Sequence, residues 1–366
     1  MTAAAPQMPA PEAIEAPADA RAKAAAPARS PYIVGRGYDW AFFLLPPLVA
    51  LAIGVLVSGT PLTEKRFWLE GQKVTWAALL SGTLTHGHLV AVAFRSHGNP
   101  DILRRYPLRF LVAPIALFAA MMTSMWVVVC VTVLVVFWDV YHSGLQTFGL
   151  GRIYDRNRGN DPAVGRRLDW CLNHLLYAGP IVGGATMLAH FGTLEVFGDV
   201  GATFFAAIPA HMKAHHRYLT WAVVGGGTLF LVHYVLAYWR LHRQGYRVSL
   251  QKVVLLATTG LCSIYTWGFN SWGQAFLIMN FFHAVQYLGL VWWSEGKRLR
   301  QLLRLDGLRA GAPLAVAVFL GSVLAYGYWA QTAPDDDRVL WSIAQTVALM
   351  HFWYDGFIWS VRKKQV

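Results

Sequence analysis

Along most of the chain the apolar positions neither alternate with polar ones nor recur at the spacing of a half-exposed helix. They run on and then break, and the runs are near the ~20 residues that an α-helix needs to cross the hydrocarbon core of a bilayer. The runs fall at 39–59, 74–95, 108–122, 125–149, 170–190, 219–239, 252–268, 272–293, 312–330 and 339–361. The third is short, and its turn to the fourth (MMTSMW) carries no charge. This pattern predicts an all-α polytopic membrane protein with about ten transmembrane helices. Residues 1–30 are Ala/Pro-rich with almost no large side chain, so a disordered tail is expected there and a helical bundle over 31–366. No basic start leads into an apolar core with a cleavage site, so a signal peptide is not expected.

Composition agrees with this reading. Charged residues make up 14% of the chain and apolar ones 56%, where a soluble protein carries roughly a quarter charged. The net charge of +12 would suit nucleic acid, but its distribution along the chain suits a membrane better. With the N-terminus inside, 25 Lys and Arg fall in the tail and in segments 95–109, 152–167, 240–252, 297–309 and 362–364. Only Lys65, Arg66, Lys73, Lys213, Arg217 and Arg338 fall outside. That bias predicts N-in, C-in topology, removes nucleic acid as a partner, and fits an integral protein of a bacterial inner membrane. Residues 191–218 are read as an outside loop. Cys130, Cys171 and Cys262 lie far apart within apolar runs and form no CxxC pair, so neither disulfides nor a thiolate site is expected.

Into these runs the chain places groups that hydrocarbon cannot satisfy. The stretch FWDVYHSGLQTFGL puts Asp139, His142 and Gln146 on one helical face, and Asn280, His283 and Gln286 repeat the arrangement. DVYHSGLQTFGL and NFFHAVQYLGL align after one deletion, a trace of parallel duplication. His351 and Asp355 are spaced i, i+4. Counted from the nearest inside Arg or Lys, His86, His88, His142, His174, His233, His283 and His351 fall in one band, roughly 10–20 Å from the inner boundary. One buried histidine is commonly an interhelical hydrogen-bond partner, worth about 0.6 kcal/mol. That explanation does not extend to six helices and two carboxylates, since each buried Asp costs about 2.5–3.5 kcal/mol.

Imidazoles suit iron, zinc and copper, and added carboxylates shift the preference toward iron or manganese. The candidate ligands are one of His86 and His88, which point apart, together with Asp139, His142, His174, His233, His283, His351 and Asp355. Gln146, Asn280 and Gln286 suit an outer shell. Asp139–His142 also matches the acid–histidine i, i+3 pair of bundle di-iron sites. In histidine number, depth and sidedness the sequence resembles the membrane desaturases, alkane hydroxylases and sterol and fatty-acid oxygenases. The resemblance implies non-haem iron, one ion or two, oxygen-dependent attack on a C–H bond, a lipid-soluble substrate and a cytoplasmic electron-donor protein. It covers no continuous stretch, and the HxxxH and HxxHH boxes of that class are absent from the inner side. The near match, His211 to His216, is read as surface histidines.

Copper, zinc and haem stay open as cofactors, and a b-type haem electron carrier or a proton or metal-ion transporter are the rival functions. The outer half offers few polar groups, which argues against a through-path. GGG at 225–227 has no preceding strand and is a packing feature, not a nucleotide loop. Trp40, Trp68, Trp170, Trp239, Trp272, Trp292 and Trp359 are expected as interfacial anchors.

Overall fold

The computed structural model describes residues 30–192, 194–334 and 337–359, the Trp272 side chain excepted. The expected disordered tail, Ser30 apart, and the basic segment Arg362–Lys364 lie outside the described residues. Of the described residues 82% are helical. Its principal helices are α1 (Pro46–Val57), α2 (Trp76–Ser96), α3 (Ala113–Thr123), α4 (Met125–Asn157), α5 (Arg166–Gly183), α6 (Thr203–Arg243), α7 (Leu250–Phe269), α8 (Trp272–Leu302), α9 (Gly311–Thr332) and α10 (Arg338–Ile358).

Among the described residues, α2, α4, α6, α7, α8 and α9 are long and apolar enough to cross a membrane. The number rises to 8 if two bent pairs each make one span: Arg36–Leu44 with α1, and α5 with Met187–Val200. Such helices are compatible with an integral membrane protein. The expectation of ten spans is met only to that extent. The third apolar segment forms a short helix, Leu108–Thr123, and α10, diluted by Gln345, His351 and Asp355, is not among the six.

Two breaks have local causes. Before α1 the chain bends by 49° at Leu45-Pro46-Pro47. Pro47 has no N–H to offer the carbonyl of Phe43, and Gln286 Nε2 on α8 donates to it instead at 2.8 Å. At the end of α5 the helix stops at Gly184. There Ala185 N–H bonds the Gly268 carbonyl at 3.0 Å and Thr186 N–H the Trp267 carbonyl at 3.3 Å. His216 Nε2 sits 3.2 Å from the freed Gly184 carbonyl. Neighbouring helices thus satisfy the broken backbone, as apolar surroundings demand.

The segment read as an outside loop is largely helical. Met187–Gly192 and Glu195–Val200 are short helices, and α6 begins at Thr203 and runs 41 residues. Charge counting marks where a helix leaves hydrocarbon, not where it ends. Residues 203–218 contain Ala, Lys, Arg and Met, all good helix formers, so α6 continues through them. For the same reason α4 extends to Asn157 and α8 to Leu302. A small hairpin, β1 (Arg66–Leu69) with β2 (Gln72–Thr75), joins α1 to α2. Its turn has positive φ at both Glu70 (46°) and Gly71 (80°), the requirement of a type I′ turn.

Helices α2, α8, α9, α10, α3 and α4 share the largest apolar core, which includes Ala91, Tyr287, Val291, Phe319, Val323 and Tyr354. The approach of α2 to α9 depends on Gly327, where a Cβ would collide with the carbonyl of Thr83. A second buried polar network ties together α4, α5, α6 and α7. Lys252 Nζ lies 2.7 Å from Asp155 Oδ2 and 2.7 Å from Asp169 Oδ2. Arg152 reaches the same two carboxylates at 2.9 and 2.6 Å, and Tyr234 and Tyr238 both donate to Asp169 Oδ1. Beside it, in the α6–α7 connection, burial pushes the Tyr246 phenol above its ordinary range, helped by the Asp155 carboxylate.

Candidate metal centre

Four helices bring four imidazoles together: His88 from α2, His142 from α4, His283 from α8 and His351 from α10. All are buried, with exposures of 1%, 3%, 2% and 0%. Taken in order around the centre, ring centroids are 5.0 Å apart for His88–His283 and 5.3 Å for His283–His142. The other two sides are 4.7 Å for His142–His351 and 5.1 Å for His351–His88. The rings therefore close a quadrilateral whose edges are nearly equal.

The atoms able to ligate a metal form two overlapping groups, His88–His142–His283 and His142–His351–Asp355, within each of which they lie no more than 4.8 Å apart. His142 belongs to both. Its Nε2 is 3.1 Å from His351 Nε2. Two nitrogens about 2.1 Å from a common ion and at right angles are about 3.0 Å apart, so this spacing suits a shared ligand as well as it suits a hydrogen bond. His351 Nδ1 is 3.0 Å from the Leu89 carbonyl. Donating there fixes the tautomer that leaves the Nε2 lone pair facing the centre.

Buried polar atoms almost always find partners. Yet neither ring nitrogen of His283, nor either of His88, makes a hydrogen bond of normal length and angle. Such orphan imidazole nitrogens in an apolar bundle are costly, and a cation held between the rings would take the lone pair of one nitrogen from each.

Asp355, one turn after His351, completes the inner polar shell. Its Oδ2 lies 3.8 Å from His142 Nδ1 and 3.7 Å from His351 Nε2. Its Oδ1 accepts from the Tyr287 hydroxyl and from Trp359 Nε1, both at 2.9 Å. Behind His283, Gln146 Nε2 donates to the His283 carbonyl at 3.2 Å and to Gln286 Oε1 at 3.1 Å. Gln286 in turn reaches Phe43 across the α1 break. Asn280 turns away and donates to the Phe276 carbonyl of its own helix.

The other sequence candidates stand apart from this group. His86 is half-buried and points away from the ring, as its i, i+2 relation to His88 requires. Asp139 is half-buried and belongs to neither ligand group. The carboxylate that meets His142 is thus Asp355 from across the bundle, not the acid on its own helix. His174 bonds the Trp170 carbonyl of its own helix at 2.7 Å and packs on Tyr141 and Trp170. His233 is exposed on α6, which borders α5 rather than the ring. Equal depth did not bring these two in, because α5 and α6 form an outer layer. His211 and His215 are exposed, and His216 serves the α5 break.

Two participants escape the sequence reading, Tyr287 and Trp359. Each lies four residues after a site residue, His283 and Asp355, so i, i+4 spacing was the available signal. Trp359, expected as an interfacial anchor, instead binds Asp355 and has the Arg95 guanidinium 4.1 Å above its ring. Arg95 also pairs with Glu295 at 2.7 Å.

Compared with known proteins, the chain matches no family model, no curated sequence and no solved structure.

Proposed function

We propose that this chain is an integral membrane oxidoreductase that holds iron between His88, His142, His283 and His351. In this reading it has ten spans with both ends inside, in a bacterial inner membrane, and acts on a lipid-soluble substrate. The observation that carries the reading is the ring of four buried imidazoles from four helices, two of them without hydrogen-bond partners. Neutral imidazoles at helical positions suit iron, and equally zinc or copper. The neighbouring Asp355 and the resemblance to the histidine-rich membrane oxygenases favour iron. A bound iron supplies one-electron redox chemistry and activation of oxygen.

The protein's own groups do the rest. The buried ring of Phe352, 5.0 Å from that of His142, keeps water from the imidazoles. The Leu89 carbonyl orients His351. Asp355 faces His142 and His351 and is able to take or return a proton. Apolar helix surfaces admit a substrate from the bilayer, and a cytoplasmic protein delivers electrons from the end that carries Arg95 and Glu295.

The haem alternative fits less well. A porphyrin needs a flat slot between two axial imidazoles, and here the third and fourth imidazoles stand about 5 Å away, where the macrocycle would lie.

Nitric oxide added to the reduced, purified protein tests this. A half-integer-spin signal in low-temperature EPR identifies ferrous iron with an open coordination position. A Soret band identifies haem, and a protein without colour or signal holds no redox metal. Either of the last two results overturns the proposal.

A further inference from the structure

We propose that Tyr287 is a redox-active tyrosine, donating one electron to an oxidised metal ion in the histidine ring and its phenolic proton to Asp355 Oδ1. This rests on the metal reading above and assigns a role that reading does not require.

A phenol is a practical one-electron donor only where its proton can leave with the electron, so its hydroxyl must already face a base. Tyr287 meets that condition beside the centre. Its ring is fully buried, with centroids 4.6 Å from His351 and 6.0 Å from His88, which is close to van der Waals contact with the inner shell. Its hydroxyl donates to Asp355 Oδ1 at 2.9 Å. That oxygen accepts a second hydrogen bond, from Trp359 Nε1.

Other buried phenol–carboxylate pairs lack one half of this arrangement. Tyr154 donates to Asp39, whose carboxylate also accepts three backbone N–H groups, from Ile33, Val34 and Gly35. Tyr234 and Tyr238 donate to Asp169, which Arg152 and Lys252 hold as an anion. Carboxylates so heavily bonded are poor proton acceptors, and none of these phenols touches the four-histidine ring. Asp355 has only neutral donors on Oδ1.

Trp359 lies edge-on to Tyr287 at 6.3 Å and would be the next acceptor of the oxidising equivalent. The Arg95 guanidinium above its face opposes a cationic indole radical, because the ring then loses its attraction for a cation. The Trp359 Nε1 proton faces the same Asp355 Oδ1, which is already protonated once Tyr287 has donated. A neutral indole radical therefore lacks an acceptor for its proton, and oxidation stops at Tyr287. The step balances as follows: the Tyr287 O–H bond breaks, one electron reduces the metal ion by one unit, the proton forms an O–H bond on Asp355, and a neutral tyrosyl radical remains. Hydrogen peroxide serves as the reagent that oxidises the metal.

The test uses the full chain, loaded with iron in detergent, treated with peroxide and frozen for EPR, with and without ring-deuterated tyrosine. The expected result is a radical signal that narrows on deuteration and survives in Tyr154→Phe. It is lost in Tyr287→Phe, whose iron content equals that of the parent chain. An unchanged radical in Tyr287→Phe, or no radical in an iron-replete parent, overturns the assignment while leaving the metal centre intact. A chain that binds no iron overturns both, and element content tells the cases apart.

Discussion

His142 stands where two ligand groups meet, between the orphan nitrogens of His88 and His283 and the Asp355–His351 pair. Replacing His142, His283 or His351 by Ala is expected to abolish bound metal, while His211→Ala or His216→Ala leaves it unchanged. Element content of the purified variants checks this. Asp355→Asn keeps the shape but removes the carboxyl group that faces His142 and His351. Outer partners of ligand histidines are worth about 10–100-fold in metal affinity, so a loss in that range is expected in a competitive chelator titration. Asp139→Asn should lose nothing, since Asp139 touches neither ligand group. Equal losses in the two variants would contradict the placement of Asp355.

At this scale the sequence was legible in part. Histidines within apolar helices stand out because hydrocarbon does not satisfy them, and His88, His142, His283 and His351 were all visible on that ground. Depth alone brought in His174 and His233, because a single sequence gives height along a helix and not the angle toward neighbours. His142 and Tyr141 are adjacent in sequence yet about 100° apart around α4, and α5 meets the Tyr141 side. Asp139 was paired with His142 for the same reason: local spacing is readable, and Asp355 is 213 positions further on.

Among the elements, α4 to α7 are held at one end by Arg152, Asp155, Asp169 and Lys252, two cations and two anions that balance. Lys252→Met leaves an uncompensated buried carboxylate, and breaking a buried pair in this way costs about 3–5 kcal/mol. A lowered midpoint of thermal unfolding in detergent is the expected outcome. Lys252→Met with Asp155→Asn restores neutrality and should recover part of the loss, a coupling that a double-mutant cycle measures. An additive cycle would show that the four groups do not act as a unit. At the α2–α9 contact, Gly327→Val forces a side chain against the Thr83 carbonyl, and overpacking costs typically about 1–3 kcal/mol. Because α2 carries His88, metal content should fall with stability in that variant.

Helix positions were read from apolar runs, and the runs do find the helices. What they miss is length beyond the apolar part. α6 at 41 residues is about 60 Å long, twice the thickness of a bilayer core. The hairpin between α1 and α2 was also missed, since two four-residue strands leave no periodic signal.

For the whole molecule, the charge bias sets the expected topology. The expected arrangement puts residues 158–165, 244–249 and 303–310 on one side and residues 65–75 on the other. Single cysteines at Gly159, Gly245 and Gly71, in a chain otherwise lacking cysteine, test this with a membrane-impermeant thiol reagent on intact cells. Labelling at Gly71 alone is expected, and labelling at Gly159 would contradict N-in, C-in topology. All three glycines have positive φ and open space around them, so substitution there strains one turn without disturbing the bundle.

The site lies among α2, α4, α8 and α10, drawn from both halves of the chain, and its closure depends on the whole bundle. Plasma mass spectrometry of the purified full-length protein, beside a His283→Ala variant prepared in parallel, tests the central claim most directly. Metal in stoichiometric amount in the parent and absent from the variant is the result predicted. A parent without metal, or a variant that retains it in full, would contradict the proposal that these four imidazoles hold an ion.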